Sequence, residues 1–225
     1  MLASPNSRII AILGGTGKEG KGLALRWAKA GYHILIGSRS IEKANAAALE
    51  LQDLLGNKSF VEGTTNLKAA ERANIVVLTV PYSAHRTTLE NVKEALQGKI
   101  LVDVTVPLVP PALAKVQMPP SGSAAQEAHL LLGDNVQVTS AFQNVSYKHL
   151  LHGETIECDV LVTGTSQEAR AETLQLVNAA GLTGWDAGPI ENSAVVEGLT
   201  SVLININKLY GSTNAGIKII GVDKG

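Results

Sequence analysis

Cysteine occurs once in this 225-residue chain, and aromatic residues make up only 4% of it. A single thiol, Cys158, has no partner for an internal disulfide, and no Cys/His cluster has metal-ligand spacing. Neither a disulfide scaffold nor a metal centre is therefore expected. Lying beside Val160-Leu161-Val162, Cys158 reads as core or strand-edge packing. Charge of one sign is also missing: 19 Lys and Arg stand against 20 Asp and Glu, a formal net charge of -1 with no acidic or basic block. That balance gives no electrostatic footprint for nucleic acid or a membrane surface. No apolar run reaches the roughly 20 residues of a membrane-spanning helix, and Met1-Leu2-Ala3-Ser4-Pro5-Asn6-Ser7 lacks the apolar core of a signal peptide. The expectation is a cytoplasmic protein with small-molecule partners. Its length suits one large domain, or a nucleotide-binding domain with a smaller companion.

What the chain does have is a glycine-rich turn in an informative place. Ile9-Ile10-Ala11-Ile12-Leu13 reads as a buried strand, and it runs into Gly14-Gly15-Thr16-Gly17-Lys18-Glu19-Gly20 and then a helical stretch. Gly15, Gly17 and Gly20 fall at the G-x-G-x-x-G spacing of a dinucleotide fingerprint. The first allows the sharp turn, the second lets backbone approach a pyrophosphate, and the third lets the helix close onto the strand. The helix N-terminus, with unsatisfied N–H groups, then faces the two phosphates. Glycine-rich turns also occur in ordinary loops; the strand before this one and the helix after it favour the nucleotide.

The first helix is predicted from about Lys21 to Ala30, stopped by Gly31, and a second strand at His33-Ile34-Leu35-Ile36. Its end carries Gly37-Ser38-Arg39-Ser40-Ile41-Glu42-Lys43. An NAD site usually places Asp or Glu there to hold the ribose 2′-hydroxyl. Ser38, Arg39 and Lys43 instead offer hydroxyl, guanidinium and ammonium groups that attract a 2′-phosphate, so NADP is favoured over NAD. The plainer reading leaves Arg39 and Lys43 as solvated charges, although a lysine in a helix's first turn opposes the dipole.

Further elements alternate regularly. A helix from about Ile41 to Leu55 ends before Gly56-Asn57; Phe60-Val61-Glu62 is a short strand, and Asn66 is the expected cap of a brief helix. Ile75-Val76-Val77-Leu78-Thr79-Val80 is a buried strand ended by Pro81-Tyr82, at the sheet edge where open α/β folds bind ligands. Tyr82 reads equally as a ring flanking a ligand or as a partly buried tyrosine with its hydroxyl satisfied. His85, early on a helix from about Ala84 to Leu96, reads as a surface residue. Beyond the strand Ile100-Leu101-Val102-Asp103 lies the proline-stiffened loop Val104-Thr105-Val106-Pro107-Leu108-Val109-Pro110-Pro111, either an apolar wall beside a flat ligand or a connector. Ser123 and Gln126 have capping-box spacing.

Val136-Gln137-Val138-Thr139 is the next strand, and Gln143 and Asn144 follow it at a carboxyl end. Cys158 to Thr163, about Gln167 to Ala180, and Thr183-Gly184-Trp185-Asp186 continue the pattern. A long helix from about Asn192 to Tyr210 has an apolar face broad enough for a dimer contact or for central packing. Asn214-Ala215-Gly216 is a small-residue turn whose backbone suits a ligand contact. The fold class is α/β, a doubly wound parallel Rossmann sheet with a smaller C-terminal α/β domain; residues 1–150 form the first unit and 151–225 the second, the boundary being least sharp near Leu150 to Glu154.

With these motifs in order, the chain resembles the NADPH-dependent reductases of coenzyme F420, an 8-hydroxy-5-deazaflavin hydride carrier. The likeness runs through Ile-Leu-Gly-Gly-Thr-Gly at 12–17, Gly22-Leu23-Ala24-Leu25-Arg26, Gly37-Ser38-Arg39, Leu78-Thr79-Val80-Pro81, Pro107-Leu108-Val109-Pro110, Ser123-Ala124-Ala125, Asp186-Ala187-Gly188-Pro189, Val196-Glu197-Gly198-Leu199-Thr200 and Gly216-Ile217-Lys218. The resemblance implies that Thr16, Gly17, Lys18 and Glu19 contact the pyrophosphate of NADP, and Ser38, Arg39 and Lys43 its 2′-phosphate. Pro81 and Tyr82 would lie near the nicotinamide. The deazaflavin would lie among Val106, Pro107, Gln143, Asn144 and the 214–216 backbone. Some members have a histidine near the place where this chain reads Phe142-Gln143-Asn144.

The resemblance also implies reversible hydride transfer between nicotinamide C4 and deazaflavin C5. Both reacting atoms then belong to cofactors, and the protein needs no acid or base of its own. The lack of a Ser/His/Asp triad, a metal set and paired carboxylates agrees with that expectation, and a homodimer is expected. Two other readings remain: an NADP-dependent imine or carbonyl reductase, which needs Tyr82, His85 or Asp103 as proton donor, and a non-catalytic NADP-responsive binding protein.

Overall fold

The computed structural model describes residues 8–56, 60–152 and 156–222. Residues 1–7, Asn57 and Glu154, on which parts of the sequence reading fall, lie outside the described residues. The first strand, β1 (Ile9–Leu13), is apolar throughout and almost wholly buried, as a strand covered on both faces must be. After it come α1 (Lys18–Lys29), β2 (His33–Ser38), α2 (Ile41–Leu55), β3 (Val61–Thr65), α3 (Asn66–Arg72), β4 (Ile75–Leu78), α4 (Tyr82–Leu96) and β5 (Ile100–Asp103). The second half holds α5 (Ala124–Leu132), β6 (Gln137–Ser140), α6 (Tyr147–His152), β7 (Asp159–Gly164), α7 (Gln167–Ala179) and β8 (Thr183–Pro189). A 3-10 turn at Ile190–Asn192 leads into α8 (Ser193–Tyr210).

Among the described residues the strands form one sheet in the order β3-β2-β1-β4-β5-β6-β7-β8. Ile12 of β1 lies opposite Ile36 of β2 on one side and Val77 of β4 on the other, both in parallel. The strand order turns back at β1, so the crevice beyond the carboxyl ends of β1 and β4 is the topological switch point of the sheet.

Parallel pairing, expected throughout, is interrupted at β7, which is parallel to β8 but not to β6. It runs antiparallel to β6, with Thr139 opposite Gly164 and Ser140 opposite Thr163. Among the described residues one helix lies between these strands, α6, which has 6 residues and packs on α1 instead of returning along the sheet. A parallel neighbour needs a covering crossover of a dozen or more residues. Helix starts also come earlier than periodicity suggests. Lys21 N–H already bonds the carbonyl of Gly17 at 2.9 Å, so helical bonding begins inside the glycine turn. α4 likewise starts at Tyr82, directly after Pro81.

Each face of the sheet carries its own apolar layer. One contains Ile12, Leu23, Trp27, Ile36, Val77 and Phe142; the other contains Leu13, Leu78, Leu89, Leu96 and Val138. Trp27 meets the edge of Phe142 at 5.7 Å and 78°, and its Nε1 donates to the Leu176 carbonyl at 2.8 Å. Beside it, Arg26 donates to the carbonyls of Leu150, His149 and Ala180, tying α1 to the ends of α6 and α7. Helix α1 is thus anchored by residues from the second half of the chain.

Candidate functional site

The turn between β1 and α1 has the geometry that its glycines predict. A Cβ on Gly20 would lie 2.7 Å from the Gly15 Cα and 2.8 Å from the Thr79 hydroxyl, so only glycine lets α1 sit this close to the strand ends. Gly17 is different: the nearest heavy atom to a Cβ there is the Gly14 carbonyl oxygen at 3.5 Å. Its flank is open, as close approach of a ligand to the backbone requires. Lys18 turns its ammonium toward Tyr147, 4.9 Å from the ring centroid, and leaves its backbone at the turn. The Glu19 carboxyl, in the first turn of α1, is pushed up by burial to about 8, and its Oε1 has no partner among the described residues.

The end of β2 lies next to this turn, since Gly15 N–H bonds the Gly37 carbonyl at 3.1 Å. Ser38 is buried; its Oγ accepts from Ser40 N–H at 3.2 Å, which leaves the Ser38 hydroxyl proton free to donate. Ser40 caps α2 by accepting from Lys43 N–H at 3.2 Å. Arg39 and Lys43 are exposed, and neither has an ion pair among the described residues. A cavity of about 260 Å³ brings Thr16 and Gly17 together with Ser38, Arg39, Lys43 and Pro81. A second hollow of about 340 Å³ continues from Ser38 and Arg39 to Thr88 and Asn91 on α4. Asn66 serves this site and not the cap of α3: Thr65 Oγ1 accepts from Lys68 N–H, while Asn66 Oδ1 accepts from Gly14 N–H at 3.3 Å.

Tyr82 does not line the 260 Å³ cavity. It borders a separate hollow of about 430 Å³ with Arg86 and Glu127, and its hydroxyl donates to Glu127 at 2.8 Å. Burial, and then the Glu127 carboxylate, push that phenol up to about 12. His85, read from sequence as a surface residue, is buried: it is 1% exposed, with Nε2 2.7 Å from Asp103 Oδ2. Its exposure was misread because the partner arrives from β5. Burial alone would depress the imidazole, but the Asp103 charge and hydrogen bond, with Glu127 nearby, outweigh it and raise the pKa. Each side chain that an imine or carbonyl reductase would need as proton donor is thus engaged within the protein.

The other wall of the crevice is built where β5 and β6 end. Val106 is half-buried and Pro107 buried. Phe142 adopts φ 74°, an uncommon conformation for a bulky residue that only a well-packed surrounding holds. Directly after it, Gln143 Nε2 donates to the Asp103 carbonyl and to Ser140 Oγ, both at 2.8 Å. Gln143 Oε1 is buried without a partner among the described residues, an acceptor left open. Asn144 Nδ2 donates to the Val196 carbonyl and Thr200 Oγ1 at 3.1 Å, which joins this loop to α8. A Cβ on Gly216 would stand 2.6 Å from Cys158 Sγ and 3.8 Å from the Asn144 carbonyl oxygen, so the 214–216 backbone lies against the same loop.

One feature of this wall escaped the sequence reading. Glu197 accepts from Ala124 N–H at 2.7 Å and Ala125 N–H at 3.1 Å, anchoring α8 to the start of α5. Burial and the Asp103 charge push its carboxyl up to about 8, against those two amides. Glu197 is the lone charge between Ser193 and Asn207, and that isolation was the available signal. Ser123 does cap α5, accepting from Gln126 N–H at 3.0 Å. The reciprocal half of the box is not made, since Gln126 Oε1 has no partner among the described residues. Among the described residues no His/Cys/Asp/Glu group has a metal-binding arrangement, and no helix is long and apolar enough to cross a membrane.

Known proteins resemble this chain over most of its length. Residues 9–107 match the family described as NADP oxidoreductase, coenzyme F420-dependent. A protein of Methanothermobacter marburgensis named F420-dependent NADP reductase is 39% identical over 217 residues, 93% of this chain and 97% of that one. Its namesake in Methanocaldococcus jannaschii is 38% identical over 222 residues, 95% of this chain and 99% of that one. Among solved structures, a protein of Arthrobacter sp. FB24 assigned as an F420-dependent NADP-reductase superposes with a TM-score of 0.78 at 25% identity, covering 95% of this chain and 99% of that one.

Proposed function

The chain belongs to the family of coenzyme F420-dependent NADP reductases, and from that premise we propose how its crevice serves hydride transfer between NADP(H) and coenzyme F420. The observation that carries the assignment of parts is the 260 Å³ cavity, which joins the open flank of Gly17 to two cations with no ion pair among the described residues and ends at Pro81. Backbone N–H groups of Thr16, Gly17, Lys18 and Glu19 hold the pyrophosphate. Ser38, Arg39 and Lys43 hold the 2′-phosphate as charge-assisted donors. Pro81 borders the nicotinamide, with Tyr82 just beyond it.

Val106, Pro107, Gln143, Asn144 and the backbone of Asn214, Ala215 and Gly216 receive the deazaflavin. The open acceptor at Gln143 Oε1 supports this, because a flat heterocycle with a ring N–H can satisfy it. When both cofactors are bound they supply the two ends of the hydride transfer, C4 of the nicotinamide and C5 of the deazaflavin. The protein contributes binding, ring orientation and exclusion of water. In this reading residues 1–150 bind NADP and residues 151–225 complete the deazaflavin cleft. The protein acts in the cytoplasm on small molecules and not on nucleic acid. A homodimer buries the outer side of α8, where Val195, Val202 and Leu209 are exposed.

The test is the visible absorbance of oxidised coenzyme F420 mixed with the protein and NADPH, with NADH as control. Bleaching with NADPH and little with NADH is the expected result. No bleaching while NADPH still binds would refute the assignment.

A further inference from the structure

Resting on that reading of the cleft, we propose that Asp103 and His85 are the positioning pair of the hydride-transfer site. They fix the loop that walls the deazaflavin relative to the helix that starts beside the nicotinamide. Asp103 is the last residue of β5 and is fully buried. Its Oδ2 lies 2.7 Å from His85 Nε2 on α4, and its Oδ1 accepts from Thr105 N–H at 2.9 Å, at the head of the Val106-Pro107 wall. Its carbonyl oxygen takes Gln143 Nε2 at 2.8 Å. One residue therefore joins three segments of the crevice: α4, the wall after β5 and the loop after β6.

The chemistry of the pair favours a positional role over a stabilising one. Facing His85 are Asp103 from β5, Glu127 from α5 and, on its own helix, Tyr82, whose ring centroid is 6.0 Å away; Glu197 of α8 lies within electrostatic reach of Asp103. A fully buried imidazole–carboxylate pair gains little net stability, because desolvation cancels most of the attraction, and an apolar pair of equal volume often does as well. What the pair gives that an apolar pair does not is direction: a carboxylate with both oxygens committed holds the Thr105 amide and the His85 ring in one arrangement. Hydride transfer is steeply sensitive to ring approach, and a misplacement of about 1 Å costs on the order of 100-fold. In that reading the nucleotide's phosphates, by contrast, sit on the side of the cavity lined by Thr16, Gly17, Ser38 and Arg39, after β1 and β2.

The experiment compares the full chain with Asp103→Ala, Asp103→Asn, His85→Leu and His85→Gln. NADPH affinity is read from nucleotide fluorescence, and hydride transfer from single-turnover loss of oxidised F420 absorbance at saturating concentrations. Asparagine keeps an acceptor for the Thr105 amide, and glutamine keeps a donor toward Asp103. The expected result is an NADPH Kd within about twofold of wild type in every variant. Transfer is slowed roughly 30- to 100-fold in Asp103→Ala and His85→Leu, and only about three- to fivefold in Asp103→Asn and His85→Gln. If the two ablating variants do not fold, the same modest slowing in the conservative pair at unchanged Kd supports the proposal. Folded variants that transfer at the wild-type rate overturn it, as does NADPH affinity falling in step with the rate. A wild-type protein inert toward F420 removes the reading of the cleft and the pair's role together, whereas active wild type with indifferent variants removes the pair alone.

Discussion

Reversing the charge of Arg39 tests the 2′-phosphate contact most directly. Arg39 is exposed at the end of β2, has no ion pair among the described residues, and lines the same cavity as Ser38 and Lys43. Arg39→Glu therefore breaks no folded-state ion pair found among them, and its effect falls on the ligand. Losing a charge-assisted hydrogen bond to phosphate costs about 1.5–3 kcal/mol. A carboxylate about 4 Å from a phosphate of charge near -2 adds about 2 kcal/mol of repulsion at the dielectric of water. The sum, about 3.5–5 kcal/mol, corresponds to a rise in the NADPH KM of roughly 400- to 5000-fold, with Lys43 and Ser38 still in place to soften it. Steady-state bleaching of F420 at varied NADPH and NADH measures both constants. Turnover at saturation should fall much less than KM rises, the NADH constant should barely move, and raised salt should narrow the gap. An NADPH constant within threefold of wild type, or equal changes for both nucleotides, would refute the 2′-phosphate assignment.

Three further outcomes follow from other parts of the molecule. Burial lifts the Glu19 carboxyl from an ordinary 4.5 to about 8, so the folded protein keeps a proton that the unfolded chain releases. Stability should then decline as pH rises from about 4.5 to about 8 and level off above, by at most about 5 kcal/mol; Glu19→Gln, scanned by thermal unfolding without nucleotide, should flatten that decline, and an unchanged slope would count against it. Gly20→Ala forces a Cβ to within 2.7 Å of the Gly15 Cα, which should cost about 1–3 kcal/mol of stability in denaturant titration and weaken NADPH binding in calorimetry; unaltered affinity would show that the turn tolerates a wider spacing. Val202→Asp places a charge on the exposed side of α8 and should halve the mass seen by light scattering while leaving the melting profile of the subunit intact; an unchanged mass would remove α8 from the dimer interface.

The parts of this site that were readable in the sequence are those whose chemistry is local. The spacing of Gly15, Gly17 and Gly20 describes a turn that needs no distant partner, and Ser38, Arg39 and Lys43 sit within one strand end and one helical turn. His85 was unreadable because its environment is made by Asp103, 18 residues further on, at the far end of β5 after the rest of α4. Asn66 was misassigned for a related reason: two adjacent residues suited the cap, and only the folded chain brings the Gly14 amide to the amide side chain of Asn66 while Thr65 takes the cap. The conformation of Phe142 carries no local signal, since it is neither glycine nor asparagine, and packing against Trp27 supports it. The central-packing reading of α8 holds for one side of the helix. Val196 and Leu203 are observed inside the protein, and Val195 and Leu209 outside.

Because β7 points the opposite way from β6, its beginning, and not its end, rises beside the carboxyl ends of the parallel strands. Cys158 Sγ accordingly lies 3.5 Å from the Asn144 carbonyl oxygen, and Asp159 N–H bonds the Ile217 carbonyl at 2.9 Å. The far end of β7 sits at the opposite rim, where Thr165 N–H bonds the Val138 carbonyl at 2.9 Å. In an all-parallel sheet, changes of acceptor specificity are grafted onto the loops that leave the strands. In this chain the rule inverts for the C-terminal strands. Residues 156–158, ahead of β7, stand at the rim of the proposed deazaflavin cleft, while an insertion at 164–166 lengthens the molecule at the opposite rim.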